Sequence, residues 1–137
     1  NRKGGAFLIR KGFYKKLDQH PTDFVKADEI LESSTYDEMA QFFNSIETFI
    51  SYDHMTFISL QAALSGCKSI IIPDADGEFS KDHLIKVNRI NGVAYGFDDQ
   101  DWVESSKNNL RQHLVELNEE NMETVRRFHE YCNLKIN

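Results

Sequence analysis

Asp53, Thr56, Ser59 and Gln61 are the residues of this chain whose types and spacing best suit ligand chemistry. They fall within Thr48–Pro73, TFISYDHMTFISLQAALSGCKSIIIP, which parses as strand, polar turn, amphipathic helix, glycine and a second buried strand. In α/β proteins ligands bind where the carboxyl end of a strand meets the amino end of the next helix. Here that junction is Ser51-Tyr52-Asp53-His54-Met55-Thr56, more polar than its flanks require. Asp53 and Gln61 lie about two turns apart if both are helical, so they can touch two ends of one extended ligand. Thr56 either offers its hydroxyl and N–H to a phosphate or is a plain early-helix residue, and Asp53 either contacts ligand or caps the helix. Tyr52 either stacks on a base or sugar or belongs to the core. His54 is a candidate acid or base because an unperturbed histidine titrates near neutrality, but a lone turn histidine reads first as solvated. Ser59 reads as packing.

A second feature is charge. Arg2, Lys3, Arg10, Lys11, Lys15 and Lys16 crowd the first 17 residues, which hold no acid, although the whole chain carries a net −6. This is either a local anion site or a solvated face. The acidic total argues against nonspecific nucleic-acid binding. Asp74, Asp76 and Glu78 lack the remaining ligands of a calcium loop and read as solvated acids. His20, His83, His113 and His129 share no ligand spacing and read as structural or exposed; Cys67 and Cys132 match no zinc spacing. Two lone cysteines suit a reducing compartment, with Cys67 as a small apolar filler. The dinucleotide glycine fingerprint, the P-loop, the nucleophile elbow and the zinc-protease helix are absent from the sequence.

These residues need a scaffold. With 137 residues, 40% hydrophobic and 28% charged, the chain suits one domain with its own core. It shows no internal repeat or linker, no signal-like apolar segment, and no apolar run near the roughly 20 residues needed to span a bilayer. It opens without Met and reads as a piece of a longer protein. Strands are expected at 5–10, 23–27, 48–52, 69–72 and 93–95. The run Ser69–Ile72, with three consecutive isoleucines, suits a central parallel strand. Residues 13–19 suit one or two helical turns. Helices are expected at 35–45, with Ser34 or Thr35 as cap and Asp37 at N3 behind Ser34. Others are expected at 55–65, 81–88, from Asp98-Asp99-Asp101 to 117, with Trp102 as an anchor, and at 119–133. Phe128 and Tyr131 on that last helix are candidates to face a missing domain. Alternating strands and helices predict an α/β, Rossmann-like three-layer domain: a parallel sheet of about five strands with helices on both faces.

On these residues the chain resembles a family. SYDHMTFISLQAALSGCKSIIIP is similar to the nucleotide-sugar-binding segment of glycosyltransferases with the GT-B fold. Asp53 falls at the family's first Glu position and Gln61 at its second. AALSGCKSIIIP matches the helix-glycine-strand part, and FLIRKG the opening strand whose basic residues meet the donor phosphates. GVAYGF, with YD-x-x-T-x-x-S, is similar to bacterial surface-polysaccharide transferases. The resemblance spans most of residues 5–130. It implies that 1–137 is the C-terminal, donor-binding half of a two-domain hexosyltransferase-type enzyme. The donor would be a nucleotide diphosphate-sugar and the acceptor a glycan or lipid-linked polysaccharide held by the missing N-terminal half. No metal or other cofactor is implied. Arg10, Lys11, Tyr52, Asp53, Thr56 and Gln61 are the donor-binding candidates. The implied location is the cytoplasm, with peripheral association at the inner face of the cell membrane, and the isolated piece is expected to be inactive. Both family carboxylates are altered, since Asp53 is shorter and Gln61 uncharged, which leaves retention or inversion open. The alternative is a noncatalytic nucleotide-binding or protein-interaction module of the same fold. A receiver-type phospho-acceptor domain is disfavoured, because no acidic pair ends the first strand and no Lys follows the later strands.

Overall fold

A computed structural model describes residues 2–54, 56–74 and 80–117. Five strands form one fully parallel sheet: β1 (Gly5–Leu8), β2 (Val25–Lys26), β3 (Thr48–Ser51), β4 (Lys68–Ile71) and β5 (Ala94–Tyr95). The order across the sheet is β2-β1-β3-β4-β5. The helices are α1 (Asp28–Glu32), α2 (Tyr36–Ser45), α3 (Ile58–Leu64), α4 (Lys81–Lys86) and α5 (Gln100–Leu117). The chain therefore has the expected α/β, Rossmann-like three-layer architecture.

The apolar runs of β1, β3 and β4 are central because a parallel strand is covered on both faces. Their alternation divides the core. Ala6, Leu8, Phe49 and Ile71 face one side, where Met39, Ala40 and Phe43 of α2 and Ile58, Leu60 and Leu64 of α3 cover them. Leu31 of α1 and Leu84 of α4 complete that layer. Ile50, Tyr52, Ile70, Ile72 and Ala94 face the other side, against Leu17, Phe24 and Val103 of α5. α3 is apolar nearly all round because it is sandwiched, with Ile58, Ser59, Leu60, Ala62 and Leu64 all buried.

Of the two cap candidates for α2, Ser34 and Thr35, Thr35 is the one that serves. The Glu38 N–H donates to Thr35 Oγ1 at 3.2 Å, and the Thr35 N–H donates to Glu38 Oε1 at 3.0 Å, a reciprocal capping box. Ser34 instead turns its hydroxyl back to the Ile30 carbonyl. Residues 13–19 form no helix. A 3-10 turn, Arg10–Gly12, is followed by irregular chain. The short α1 was not expected, since DEILE is too brief for periodicity to speak. α3 starts at Ile58 rather than Met55, and α5 at Gln100 rather than Asp98. The expected helix 119–133, with Phe128, Tyr131, His129 and Cys132, lies outside the described residues, as do Met55, Asp76 and Glu78.

Candidate functional site

The sheet order reverses direction between β1 and β3: from β1 the chain moves outward to β2, and from β3 to β4 and β5. The two loops leaving the carboxyl ends of β1 and β3 therefore part, and the crevice between them is the usual ligand position of an open α/β sheet. Those loops are Ile9-Arg10-Lys11-Gly12 and Tyr52 to Thr56. A cleft of about 680 Å³ opens there. Arg10, Lys11, Asp53, Thr56 and Gln61 line it, with Leu31, Tyr36 and Met39 as its apolar wall. Five of the six residues singled out in the sequence thus meet at one place.

Local sequence explains the geometry. Gly12 presses against the end of β3 so closely that a Cβ would sit 2.1 Å from the Tyr52 carbonyl oxygen. Only glycine permits that approach, and it brings the basic turn beside Asp53. Arg10 takes a left-handed backbone conformation, φ 38°, uncommon for a residue with a side chain. Asp28 holds it there: its carboxylate oxygens accept the N–H groups of Ile9 at 3.0 Å and Arg10 at 2.8 Å. The side chains of Arg10 and Lys11 remain exposed, while Asp53 and Thr56 are buried and Gln61 half-buried.

The N-cap position of α3 is Phe57, which makes no side-chain cap; one residue earlier, Thr56 Oγ1 accepts the Ile58 N–H at 3.1 Å. Asp53 is fixed through its backbone, with its N–H donating to Ser51 Oγ and its carbonyl accepting from the same hydroxyl. Ser59 is buried against β4, its carbonyl accepting the Ser69 hydroxyl; its own hydroxyl has no hydrogen-bond partner among the described residues.

Tyr52 is a correction. It is fully buried, so its ring does not line the cleft and has no open face for a base. Its hydroxyl accepts the Gln19 N–H at 2.9 Å and lies 2.6 Å from His20 Nδ1. Its ring meets Phe7 and His20 edge-on, and His20 stacks on Phe7 at 3.7 Å. Burial pushes the Tyr52 pKa up from its ordinary value. Tyr52 and His20 tie the 17–20 segment to the sheet.

Two further readings change. His54 and Asp74 are not solvated, at 6% and 8% exposure. They meet Lys15 where β1, β3 and β4 end. The Lys15 ammonium donates to the Ile72 carbonyl at 2.7 Å and lies 3.3 Å from His54 Nδ1. The Tyr14 hydroxyl donates to Asp74 Oδ2 at 3.3 Å, and the Asp74 N–H donates to the Tyr95 hydroxyl. Burial lowers the Lys15 pKa, partly offset by the charges of Asp74 and Asp53. No short motif announces this cluster, because its members come from segments 39 to 60 residues apart. The six early cations are not one patch either. Arg2 binds helix-end carbonyls far from the cleft.

A second cleft of about 600 Å³ lies at the opposite, amino end of β4, between α3 and α5, lined by Gly66, Cys67, Lys68 and Lys107 among others. It brings together none of the candidate residues. Among the described residues, no cluster of three or more His, Cys, Asp or Glu could hold a metal ion, and no helix is long and apolar enough to cross a membrane. Neither protein-family models nor curated proteins nor solved structures yield a match to this chain.

Proposed function

We propose that this chain is the donor-binding half of a two-lobed, GT-B-type glycosyltransferase that holds a nucleotide diphosphate-sugar in the cleft between the loops of β1 and β3. One observation carries the reading: Arg10, Lys11, Asp53, Thr56 and Gln61 line a single cleft at the switch point of the sheet. Arg10 and Lys11 would neutralise the diphosphate, which becomes the leaving group and gains charge as the glycosidic bond breaks. The Gln61 amide can donate to and accept from ribose hydroxyls. Asp53, across the cleft, is an acceptor for sugar hydroxyls. The Leu31, Tyr36 and Met39 wall supplies apolar surface for the base. The acceptor, a glycan or lipid-linked polysaccharide, and any base that activates it would come with the other lobe. The domain's own part in catalysis would be orientation of the donor and electrostatic stabilisation.

The test is an NMR titration of the 137-residue chain with UDP, dTDP, GDP, ADP and CMP. Saturable shifts at Arg10, Lys11, Thr56 and Gln61 with one diphosphate are expected. Lys11→Ala should weaken that ligand about tenfold, the worth of one charge-assisted hydrogen bond, without unfolding, since Lys11 is exposed. A folded chain unmoved by millimolar amounts of every nucleotide overturns the reading.

A noncatalytic interaction module is the second reading, favoured by one observation. Phe13, Tyr14 and Phe97, all on loops leaving the carboxyl ends of strands, are 72%, 52% and 47% exposed. Exposed aromatics on one side of a domain suit a protein partner. Retained nucleotide binding after Phe13→Ser and Phe97→Ser would separate the two readings.

A further inference from the structure

The basic turn that lines the cleft continues into Tyr14 and Lys15, which reach the buried Asp74 and His54 respectively; Lys15 is the charged link between that turn and the cluster. Its N–H donates to the Gly12 carbonyl at 3.1 Å, and the Gly12 N–H donates to Ile9 at 2.7 Å, so turn and lysine form one hydrogen-bonded unit. Its ammonium crosses to the far ends of β3 and β4, reaching His54 Nδ1 and the Ile72 carbonyl. A charged ammonium beside a ring nitrogen at 3.3 Å makes a favourable contact only if that nitrogen carries a lone pair. The ring then holds its proton on Nε2 and is neutral.

We propose that Lys15 and His54 form a latch that positions the Arg10–Lys11 turn for anion binding, with the Lys15 ammonium donating to Nδ1 and holding His54 as the neutral Nε2–H tautomer. The positioning role rests on the donor-site reading; the latch itself does not. Among the described residues, the groups around the pair include Tyr14 from its own loop, Asp53 beside His54, Asp74 and the Ile72 carbonyl after β4, and the Tyr95 hydroxyl of β5 on the Asp74 N–H. Protonating His54 removes the acceptor and sets two cations side by side, so acid opens the latch. The consequence has an unusual sign. A histidinium that merely lay near the cleft would strengthen anion binding in acid, whereas a latch makes it weaker as His54 protonates.

The experiment is NMR of the full 137-residue chain with inorganic sulfate as probe, since sulfate keeps its charge between pH 5 and 8. Long-range nitrogen–proton spectra read the His54 tautomer, and amide shifts at Arg10 and Lys11 read sulfate. Expected are an unprotonated Nδ1, and sulfate binding that falls as His54 protonates. In Lys15→Met, the His54 pKa should rise by about one unit or more, because a neighbouring cation is gone while both acids stay. Sulfate affinity should fall about tenfold, near the worth of one charge-assisted contact. His54→Asn, which keeps an acceptor for Lys15 but does not titrate, should retain affinity at pH 7.5 and lose the acid dependence. A protonated Nδ1 in the neutral ring, or a His54 pKa unmoved in folded Lys15→Met, overturns the latch. Should Lys15→Met not fold, the wild-type tautomer and the His54→Asn profile decide alone. A latched His54 with no sulfate shifts at Arg10 and Lys11 overturns the positioning role. Sulfate binding without any nucleotide binding removes the donor reading and leaves the latch.

Discussion

Gly12→Ala tests the contact on which the cleft is built. The new methyl would lie 2.1 Å from the Tyr52 carbonyl oxygen, 2.2 Å from its carbon and 2.6 Å from its Cβ. Ordinary contact begins near 3.4 Å, so the turn must retreat by about 1 Å or the end of β3 must give way. The neighbour is backbone whose own N–H donates to the Leu8 carbonyl at 2.8 Å, so it has little freedom. Overpacking of this kind costs about 2–3 kcal/mol, which in a chain of this size lowers Tm by roughly 5–12 °C. Gly4→Ala is the control. Gly4 has φ +63° but nothing within 4 Å of its Cβ position, so only backbone strain applies, about 1 kcal/mol. Calorimetry should therefore rank Gly12→Ala well below Gly4→Ala. Sulfate or nucleotide titration should show weaker binding in Gly12→Ala alone, because only that turn carries Arg10 and Lys11. A Gly12→Ala protein that melts with wild type and binds with unchanged affinity would refute the claim that this close approach places the basic turn.

Asp28→Ala releases the Ile9 and Arg10 N–H groups and the left-handed Arg10; a loss of about 1–2 kcal/mol in urea unfolding is expected, together with weaker anion binding. Arg2→Met removes a guanidinium that donates to the Phe43, Ile46 and Ser65 carbonyls and to Asn44 Oδ1, at the C-terminal ends of α2 and α3. Urea unfolding should report a loss of about 2–3 kcal/mol with no change at the cleft. Cys67 is buried, and burial pushes its thiol from 9.0 up to about 11. The unfolded chain then loses this proton first, so stability falls as pH rises from about 9 to 11, by about 2–3 kcal/mol in all. Against that background Cys67→Ala should show a flatter alkaline limb in chemical unfolding.

The sheet was legible because its central strands are apolar on both faces and need no partner to be recognised. Phe7, Leu8, Phe49, Ile50, Ile70 and Ile71 declare themselves by composition, and the glycine at 66 marks the end of α3. The shorter elements were not. α1 has five residues and no side-chain cap, so neither periodicity nor capping distinguishes DEILE from a turn. Residues 13–19 carry helical spacing but lose the helix to tertiary contacts: Lys15 is drawn to Ile72, and Gln19 and His20 to the Tyr52 hydroxyl. At the start of α5, Asp99 looked like a first-turn acid. Its carboxylate instead accepts the Tyr95 N–H at 2.9 Å and the Lys81 ammonium at 2.7 Å, joining α4 to the loop after β5.

The site divides the same way. Its location follows from strand–helix junctions, which sequence reveals, but the burial of a polar residue follows from what packs over it, which sequence does not. Tyr52 and His54 are two residues apart in one turn, yet one is core and the other meets a lysine 39 residues away. Charge is subject to the same limit. The six cations of residues 1–17 lie close together in sequence, but β1 carries the chain from one end of the sheet to the other between Lys3 and Arg10. Four strand residues span about 13 Å, more than a Debye length at about 0.1 M salt. Arg2 is therefore a helix-end tether and Arg10 and Lys11 are cleft residues, and the two groups answer different perturbations. Raising salt should weaken anion binding at Arg10 and Lys11, which are exposed. The same salt should change the Arg2 contribution to stability little, because its main partners are part-buried carbonyl dipoles rather than exposed charges. The basic run is thus two devices placed by one strand, and only the second of them belongs to the site.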